Sequence, residues 1–184
     1  MHKLERKGDW IQTYNRRQFW TLDPRAEDVD IEDIAHSLSM LCRFNGHCNE
    51  FYSVAQHSVF VSELVKPQEA LAGLLHDSPE AYLGDIARPI KKFLPGIEEI
   101  ENELEKVIFK YFNIDNYDKK EISHADNIAL FTEMRDLMNE PPEMWKEFEY
   151  YLPLLPKNKI IPLTSKESKK LFLERFEELR ANNY

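Results

Sequence analysis

A periodic pattern of apolar residues between Ile97 and Phe112 constrains the fold of this chain more than any other feature of its sequence. The apolar residues recur at steps of three and four, and glutamates fill many of the positions between them. This spacing places the apolar side chains on one face of an α-helix and the carboxylates on the other. We therefore expect an amphipathic helix over 97–112 that packs one face against a hydrophobic core.

Similar spacing predicts helices elsewhere in the chain. They are expected over 31–42, 54–65, 68–82, about 120–138 and, as a short piece, 145–151. Pro79 lies inside the helix predicted over 68–82, so that helix should end or kink near Asp77. Residues 10–22 alternate apolar and polar about a turn-like centre, which predicts a small β-hairpin. Thr164 followed by Glu167 is typical of a capping box and predicts the start of a last helix.

Length and composition limit the architecture. The chain has 184 residues, of which 42% are apolar, which is enough for one domain with a hydrophobic core. We expect an all-α bundle of about seven or eight helices with the hairpin at its N-terminal end. Within this single domain, 1–184, we distinguish the hairpin (about 10–22), a core that carries the candidate site (about 31–138) and a C-terminal helical extension (about 139–184).

Charge and hydropathy argue against several classes of function. Acidic residues number 33 against 24 basic ones, and a net charge of -9 disfavours binding to a nucleic-acid polymer. No run approaches the roughly 18 to 20 apolar residues that span a bilayer, and the N-terminus is not a signal peptide. Cys42 and Cys48 are too few for a disulfide framework and suit a reducing compartment. We therefore expect a cytoplasmic protein that binds a small molecule and does not bind a membrane.

The side chains that suggest chemistry concentrate around His76 and Asp77. This pair follows the apolar run 71–75, and neither residue belongs in an apolar core without a partner. Adjacent helical residues point about 100° apart, so they cannot pair directly but can converge on an ion beyond the helix end. His57 and Asp126, each inside a helical apolar pattern, complete a set suited to zinc, manganese, cobalt or iron. The alternative is that the histidines are hydrogen-bonded core residues and the acids are helix caps.

The order His57, His76-Asp77, Asp126 resembles the HD-domain metal-dependent phosphohydrolases, which are named for the adjacent His and Asp. Within that group the chain is similar to the bacterial 5′-deoxynucleotidases and, more closely, to the phage deoxyadenosine triphosphate phosphohydrolases. The resemblance covers about 10–138, and these segments carry it in order: 53–58, 76–91 and 125–126. It implies an HD-domain helical bundle in which the four residues ligate a divalent transition metal such as zinc, cobalt or manganese. Open coordination positions would receive water and a phosphate oxygen, and the substrate phosphates could bring a second metal.

The resemblance also implies roles for residues beside the metal ligands. Glu80 would act as a general base toward water or a general acid toward the leaving oxygen, unless it is simply a solvated carboxylate. Asp85 would orient water or the sugar. Arg43-Phe44, fourteen residues before His57, matches an Arg-Trp pair that contacts phosphate or sugar and crowds the 2′ position in the deoxynucleotidases. Phe44 is smaller than Trp, which weakens the expectation that ribose is strictly rejected.

Further substrate contacts are expected on the flanking loops. Arg88 and Lys91 would meet the outer phosphates of a nucleotide, or else they are solvated cations at a helix start. His47 is close enough in sequence to the expected pocket to touch the substrate. By analogy with the phage enzymes, three residues lie near the base: Asn45, Gly46 and Pro89.

The implied activity is metal-dependent hydrolysis of a 2′-deoxynucleotide at the phosphate nearest the sugar. The leading expectation is conversion of dATP to deoxyadenosine and triphosphate. Alternatives are a 5′-nucleotidase that releases phosphate from deoxynucleoside monophosphates, hydrolysis of a cyclic or bis-phosphorylated signalling nucleotide, and a nucleotide or alarmone sensor without turnover. The likeness also implies a homo-oligomer, located in the host cytoplasm if the chain is phage-encoded.

Overall fold

The computed structural model describes residues 6–181, most of which are helical. The α-helices are α1 (Ile31–Met40), α2 (Val54–Leu64), α3 (Ala70–Leu75), α4 (Glu80–Leu83), α5 (Arg88–Lys91), α6 (Ile97–Tyr111), α7 (Lys119–Leu137), α8 (Phe148–Tyr151) and α9 (Ser165–Ala181). Short 3₁₀ turns cover Ala26–Asp28, Arg43–Gly46, Pro67–Glu69 and Leu152–Leu154. Two antiparallel strands, β1 (Ile11–Gln12) and β2 (Gln18–Phe19), form the hairpin. The predicted all-α class with a small N-terminal hairpin is confirmed.

Side-chain caps fix the starts of several helices. Asp30, Ser53 and Asp118 accept hydrogen bonds from backbone N–H groups in the first turns of α1, α2 and α7. The predicted capping box is present before α9: Thr164 N donates to Glu167 Oε2 over 2.9 Å, and Glu167 N donates back to Thr164 Oγ1 over 3.3 Å. In the described part of the chain, no helix combines the length and the hydropathy that crossing a membrane requires.

The helix predicted over 68–82 is interrupted at 76–79, as Pro79 led us to expect. α3 ends at Leu75, and α4 begins at Glu80 after a tight turn in which Glu80 N donates to the Asp77 carbonyl over 3.0 Å. α3 packs closely on α2, because a Cβ at Gly73 would lie 3.2 Å from Val65 Cγ2. This close approach brings the turn after α3 towards α2.

The helix α5 lies where the sequence pattern predicts a loop and no helix, because Gly84 and Pro89 are residues typical of loops. Gly84 ends α4 with a φ of 85°, a conformation that favours glycine. Pro89 then lies in the first turn of α5, where a helix needs no N–H donor from it. A residue typical of loops therefore lies in the first turn of a helix that begins at Arg88.

Residues 6–181 contain two hydrophobic clusters. The main core joins β2, α1, α2, α3, α6, the first half of α7 and α9, with Leu38, Leu74 and Phe172 fully buried. Because α9 belongs to this core, the end of the predicted C-terminal extension packs with the helices before it. A smaller group, which we call the satellite cluster, lies at the second half of α7 and has these buried members: Phe131, Met134, Tyr151 and Leu155.

Candidate functional site

The predicted metal ligands converge on one point of the structure. His57 lies on α2, His76 and Asp77 lie in the turn after α3, and Asp126 lies on α7. His57 Nε2 is 3.4 Å from Asp77 Oδ2 and 3.3 Å from Asp126 Oδ1, and His76 Nε2 is 3.2 Å from Asp77 Oδ1. One ligand atom each from His57, His76 and Asp126 lies within 4.8 Å of the other two. This cluster could hold a metal ion, with Asp77 directly beside it.

Each imidazole is oriented by a hydrogen bond at the ring nitrogen that points away from the cluster. His76 Nδ1 is 2.8 Å from the Gly73 carbonyl oxygen, and His57 Nδ1 is 2.6 Å from a carboxylate oxygen of Glu133. Both oxygens accept, so Nδ1 donates in both rings. Neither Nε2 atom has a hydrogen-bond partner within 6–181, although carboxylate oxygens lie close by. Buried Nε2 atoms held in this way fit metal coordination, in which the other ring nitrogen is usually hydrogen-bonded.

Glu133 is the site residue that the sequence analysis missed. It lies on α7 seven residues after Asp126, is fully buried, and accepts a 3.0 Å hydrogen bond from Arg43 Nε in addition to its contact with His57. Burial would raise the pKa of Glu133, but the charges of Arg43 and His57 outweigh it and lower the pKa. The carboxylate therefore links a predicted ligand to a predicted anion-binding residue. The sequence contained one indication of this role, because the spacing of seven residues places Glu133 on the same helix face as Asp126.

Carboxylates dominate the electrostatics of the cluster. Burial would raise the pKa of Asp126, but the imidazole of His57, 3.3 Å away, and the charge of His76 bring it to about 2. The pKa of Asp77 is also well below its usual range, because the same two histidines outweigh its burial. Burial and Arg43 would lower the pKa of His57, yet the surrounding acids raise it well above the ordinary value. Such a concentration of negative charge favours a bound cation.

Glu80 differs from the other acids of the site. Burial, followed by the charges of Asp77 and Asp85, raises the pKa of Glu80 well above its ordinary value. Its Oε2 atom is buried and has no hydrogen-bond partner among the described residues. Burial also raises the pKa of Asp85, although Arg43 opposes the effect. A carboxyl group with a raised pKa keeps its proton to higher pH and can donate it to a leaving oxygen.

A cavity of about 660 Å³ opens beside the cluster, a volume typical of small-molecule sites. Most of the predicted site residues line it: Arg43, Phe44, Asn45, Asp77, Glu80, Asp85, Arg88, Pro89, Lys91 and Asp126. Gly46 and His47 are not among its lining residues, and His47 is exposed. A smaller cavity of about 210 Å³ adjoins the cluster on the side of His76.

The predicted phosphate-binding cations are each held against an acidic side chain. Arg43 is buried, with Nη1 3.8 Å from Asp77 Oδ2. Arg88 Nη2 donates to Asp126 Oδ2 over 3.1 Å, and Lys91 Nζ lies 2.7 Å from a carboxylate oxygen of Glu101. The Arg88 side chain is 67% exposed, and such surface pairs are weak enough for the guanidinium to turn to another anion.

The connection between α7 and α8 also contributes to the cavity, and the sequence analysis assigned it no role. Trp145, Lys146 and Glu147 lie among the lining residues, together with Leu130 and Phe131 of α7. The spacing predicts a short helix over 145–151, but α8 begins only at Phe148, and a helical period says nothing about which cavity the residues before it line.

The fold and the site define a mostly helical protein in which a cluster of His and Asp residues, able to hold a metal ion, lies beside an open cavity. The chain is 37% identical over 170 residues to YfdR, an uncharacterized protein of Escherichia coli (strain K12), and the match covers 92% of this chain and 95% of YfdR. An uncharacterized protein of Rhodobacter capsulatus is 36% identical over 118 residues, or 59% of this chain and 60% of that protein. The chain belongs to the family of YfdR. No family model matches the sequence.

Proposed function

We propose that the protein is an HD-domain metal-dependent phosphohydrolase that cleaves 2′-deoxynucleotides at the phosphate nearest the sugar. The observation that carries this proposal is the convergence of His57, His76, Asp77 and Asp126 beside a cavity of nucleotide size. The substrate we favour is dATP, which would yield deoxyadenosine and triphosphate. This choice rests on the resemblance of the sequence to the phage enzymes.

A divalent transition metal such as zinc, cobalt or manganese would be held by the two imidazoles and the carboxylates of Asp77 and Asp126. Mixed nitrogen and oxygen ligands suit these ions. When bound, such a metal polarises a phosphoryl oxygen and makes water more acidic. The orphaned Nε2 atoms of His57 and His76 support this assignment, because they are buried and already oriented.

The other residues of the site would act on charge and on protons. Glu80, whose pKa is raised, would give its proton to the 5′ oxygen that leaves with the nucleoside. Arg43, fixed by Glu133, would stabilise the negative charge that develops on the phosphoryl group. Arg88 would leave Asp126 and bind an outer phosphate, and Asp85 would orient water or the sugar.

The proposal is tested by incubating the purified protein with each deoxynucleotide and its ribonucleotide in the presence of cobalt, manganese or zinc, followed by separation of the products. Release of triphosphate from dATP is the expected result. Turnover confined to monophosphates would instead identify a 5′-nucleotidase. Nucleotide binding without turnover under any of the three metals would contradict the proposal and favour a sensor.

Substitutions should separate metal binding from proton transfer. We expect Glu80→Ala to retain the metal and to lose turnover by about 10²- to 10⁴-fold, because general acid–base catalysis typically contributes that much. Asp77→Ala should lose both metal and turnover, as measured by elemental analysis and a product assay. Glu98→Ala, at an exposed acid on α6, is the matched control. A wild-type rate in Glu80→Ala would remove the role assigned to Glu80.

A further inference from the structure

Trp145 occupies a position at the cavity that the roles assigned above leave unexplained. It lies between α7 and α8, lines the cavity, and is half-buried against the satellite cluster. Its ring centroid is 6.3 Å from that of Phe44, and the two ring planes are inclined by 57°. The two aromatic rings therefore meet at an angle on one side of the cavity. That side consists of the turn Arg43–Gly46 and the connection between α7 and α8.

The groups along this wall form a chain of contacts that starts at the metal cluster. Arg43 Nη1 is 3.8 Å from Asp77 Oδ2, and the Arg43 guanidinium carbon lies 5.4 Å from the centre of the Phe44 ring. The Phe44 ring in turn has Trp145 as its aromatic neighbour. The order of contacts is therefore acidic cluster, guanidinium, first ring, second ring. A nucleotide that places its phosphate at the cluster presents a sugar next and a base last, in the same order.

The outer ring has the chemistry that a planar heterocycle needs. Indole offers a large π-face at little cost in conformational entropy. When two aromatic rings are inclined to each other, a planar ligand can stack on the face of one ring and contact the edge of the other. The apolar side chains of Ile86 and Leu130 line the same cavity. Phe44 lies beside Arg43 and would contact the sugar of such a ligand. The face of Trp145 would then contact the base.

The backbone and the satellite cluster hold Trp145 in this position. Phe148 N donates to the Trp145 carbonyl over 3.2 Å, and the Phe148 ring packs against Phe131 with a centroid distance of 6.0 Å. Glu147 has a φ of 67°, so the chain turns sharply just after the tryptophan. The α7–α8 connection therefore presents one anchored aromatic ring to the cavity.

We propose that Trp145 is the surface on which the nucleobase of the substrate stacks, and that it is a specificity-determining residue. This inference rests on the proposed function for the identity of the ligand. Because stacking strengthens with the area of the heterocycle, purine nucleotides should bind more tightly than pyrimidine nucleotides.

The test compares Trp145→Leu with Trp145→Phe, since both keep apolar bulk against the satellite cluster and only Phe keeps a π-face. Equilibrium dialysis of the metal-loaded full chain with dAMP and with dCMP, in a Glu80→Ala background that prevents turnover, measures binding. We expect Trp145→Leu to weaken dAMP binding roughly 5- to 100-fold, the effect of losing one base–aromatic stack. Trp145→Phe should recover most of the affinity. Tyr111→Ala, at an exposed aromatic residue of α6 outside the cavity lining, should bind dAMP as the wild type does.

The outcomes separate this inference from the proposed function. Equal dAMP affinity in the wild type, Trp145→Leu and Trp145→Phe overturns the inference, even if the metal-loaded protein hydrolyses deoxynucleotides with an unchanged KM in all three. Binding of dAMP that depends on Trp145, in a protein that hydrolyses no nucleotide with any metal, supports the inference and overturns the proposed function. Failure of the wild type to bind any nucleotide overturns both.

Discussion

The candidate metal cluster and the outer rim of the cavity lie side by side but are built differently. The residues of the cluster come from α2, α7 and the end of α3, all of which contribute to the main core, and hydrogen bonds at Nδ1 orient the two imidazoles. The rim comes from the turn Arg43–Gly46 and from the α7–α8 connection, which is supported by the small satellite cluster. The comparison teaches that the core sets the position of the cluster, whereas the rim is built from segments that can vary with little effect on the core.

Backbone conformation reflects the same difference. Among residues 6–181, the non-glycine residues with positive φ include Phe44, Asn45 and Glu147 of the rim and none of the four ligands. A bulky residue in the left-handed region costs on the order of 1 kcal/mol or more. The rim therefore holds strain at positions that line the cavity, whereas none of the four candidate ligands has a left-handed backbone.

Glu133→Ala should have the largest effect on stability and on metal affinity, because Glu133 contacts the cluster directly. The substitution leaves the buried Arg43 without its nearest carboxylate and should lower the free energy of unfolding by about 3 to 5 kcal/mol. Metal affinity should fall roughly 10- to 100-fold, since His57 loses the group that orients it. Urea denaturation and metal titration measure the two effects, with Glu63→Ala at an exposed acid of α2 as the control. Unchanged metal affinity would show that Glu133 does not orient His57.

Leu74→Ala tests whether the main core positions the ligands. Leu74 is fully buried on α3, two residues before His76, and its truncation should cost about 2 to 4 kcal/mol of unfolding free energy. We expect the metal affinity to fall as well, since α3 carries the turn with His76 and Asp77. If the variant is destabilised but binds metal as tightly as the wild type, the packing of the main core does not position the site.

Phe148→Ala should give the smallest effect and acts on the rim alone. Phe148 is half-buried in the satellite cluster, so its truncation should cost roughly 1 to 2 kcal/mol. Metal content by elemental analysis should remain at the wild-type level, while dAMP binding should weaken because the satellite cluster against which Trp145 packs loses one of its aromatic rings. A loss of metal in this variant would mean that the two regions are not independent.

The sequence predicted most of what depends on local pattern. Helix periods, the capping box at Thr164 and the break at Pro79 are all determined by residues within a turn or two of one another, and the structure confirms them. α5 was missed because proline is compatible with both a loop and the first turn of a helix. In each of these cases the outcome follows from short-range stereochemistry.

Long-range features were harder to predict. Glu133 meets Arg43 across 90 residues and His57 across 76, and no local pattern encodes such a contact. His47 was expected near the substrate because it follows Arg43 closely in sequence. The left-handed conformations of Phe44 and Asn45 turn the chain between them, and His47 lies outside the cavity lining. The prediction for His47 from its proximity in sequence was wrong because it did not include this turn of the backbone.

Gly73 serves both the close contact between α2 and α3 and the orientation of one imidazole. A side chain at position 73 would meet Val65 and the backbone of Ser62, and the Gly73 carbonyl is also the acceptor that orients His76. An alanine there would place its Cβ 3.2 Å from Val65 Cγ2, so that the Val65 side chain would have to move by a few tenths of an ångström. One glycine thus couples the packing of two helices to the direction in which a histidine one turn later presents its ring.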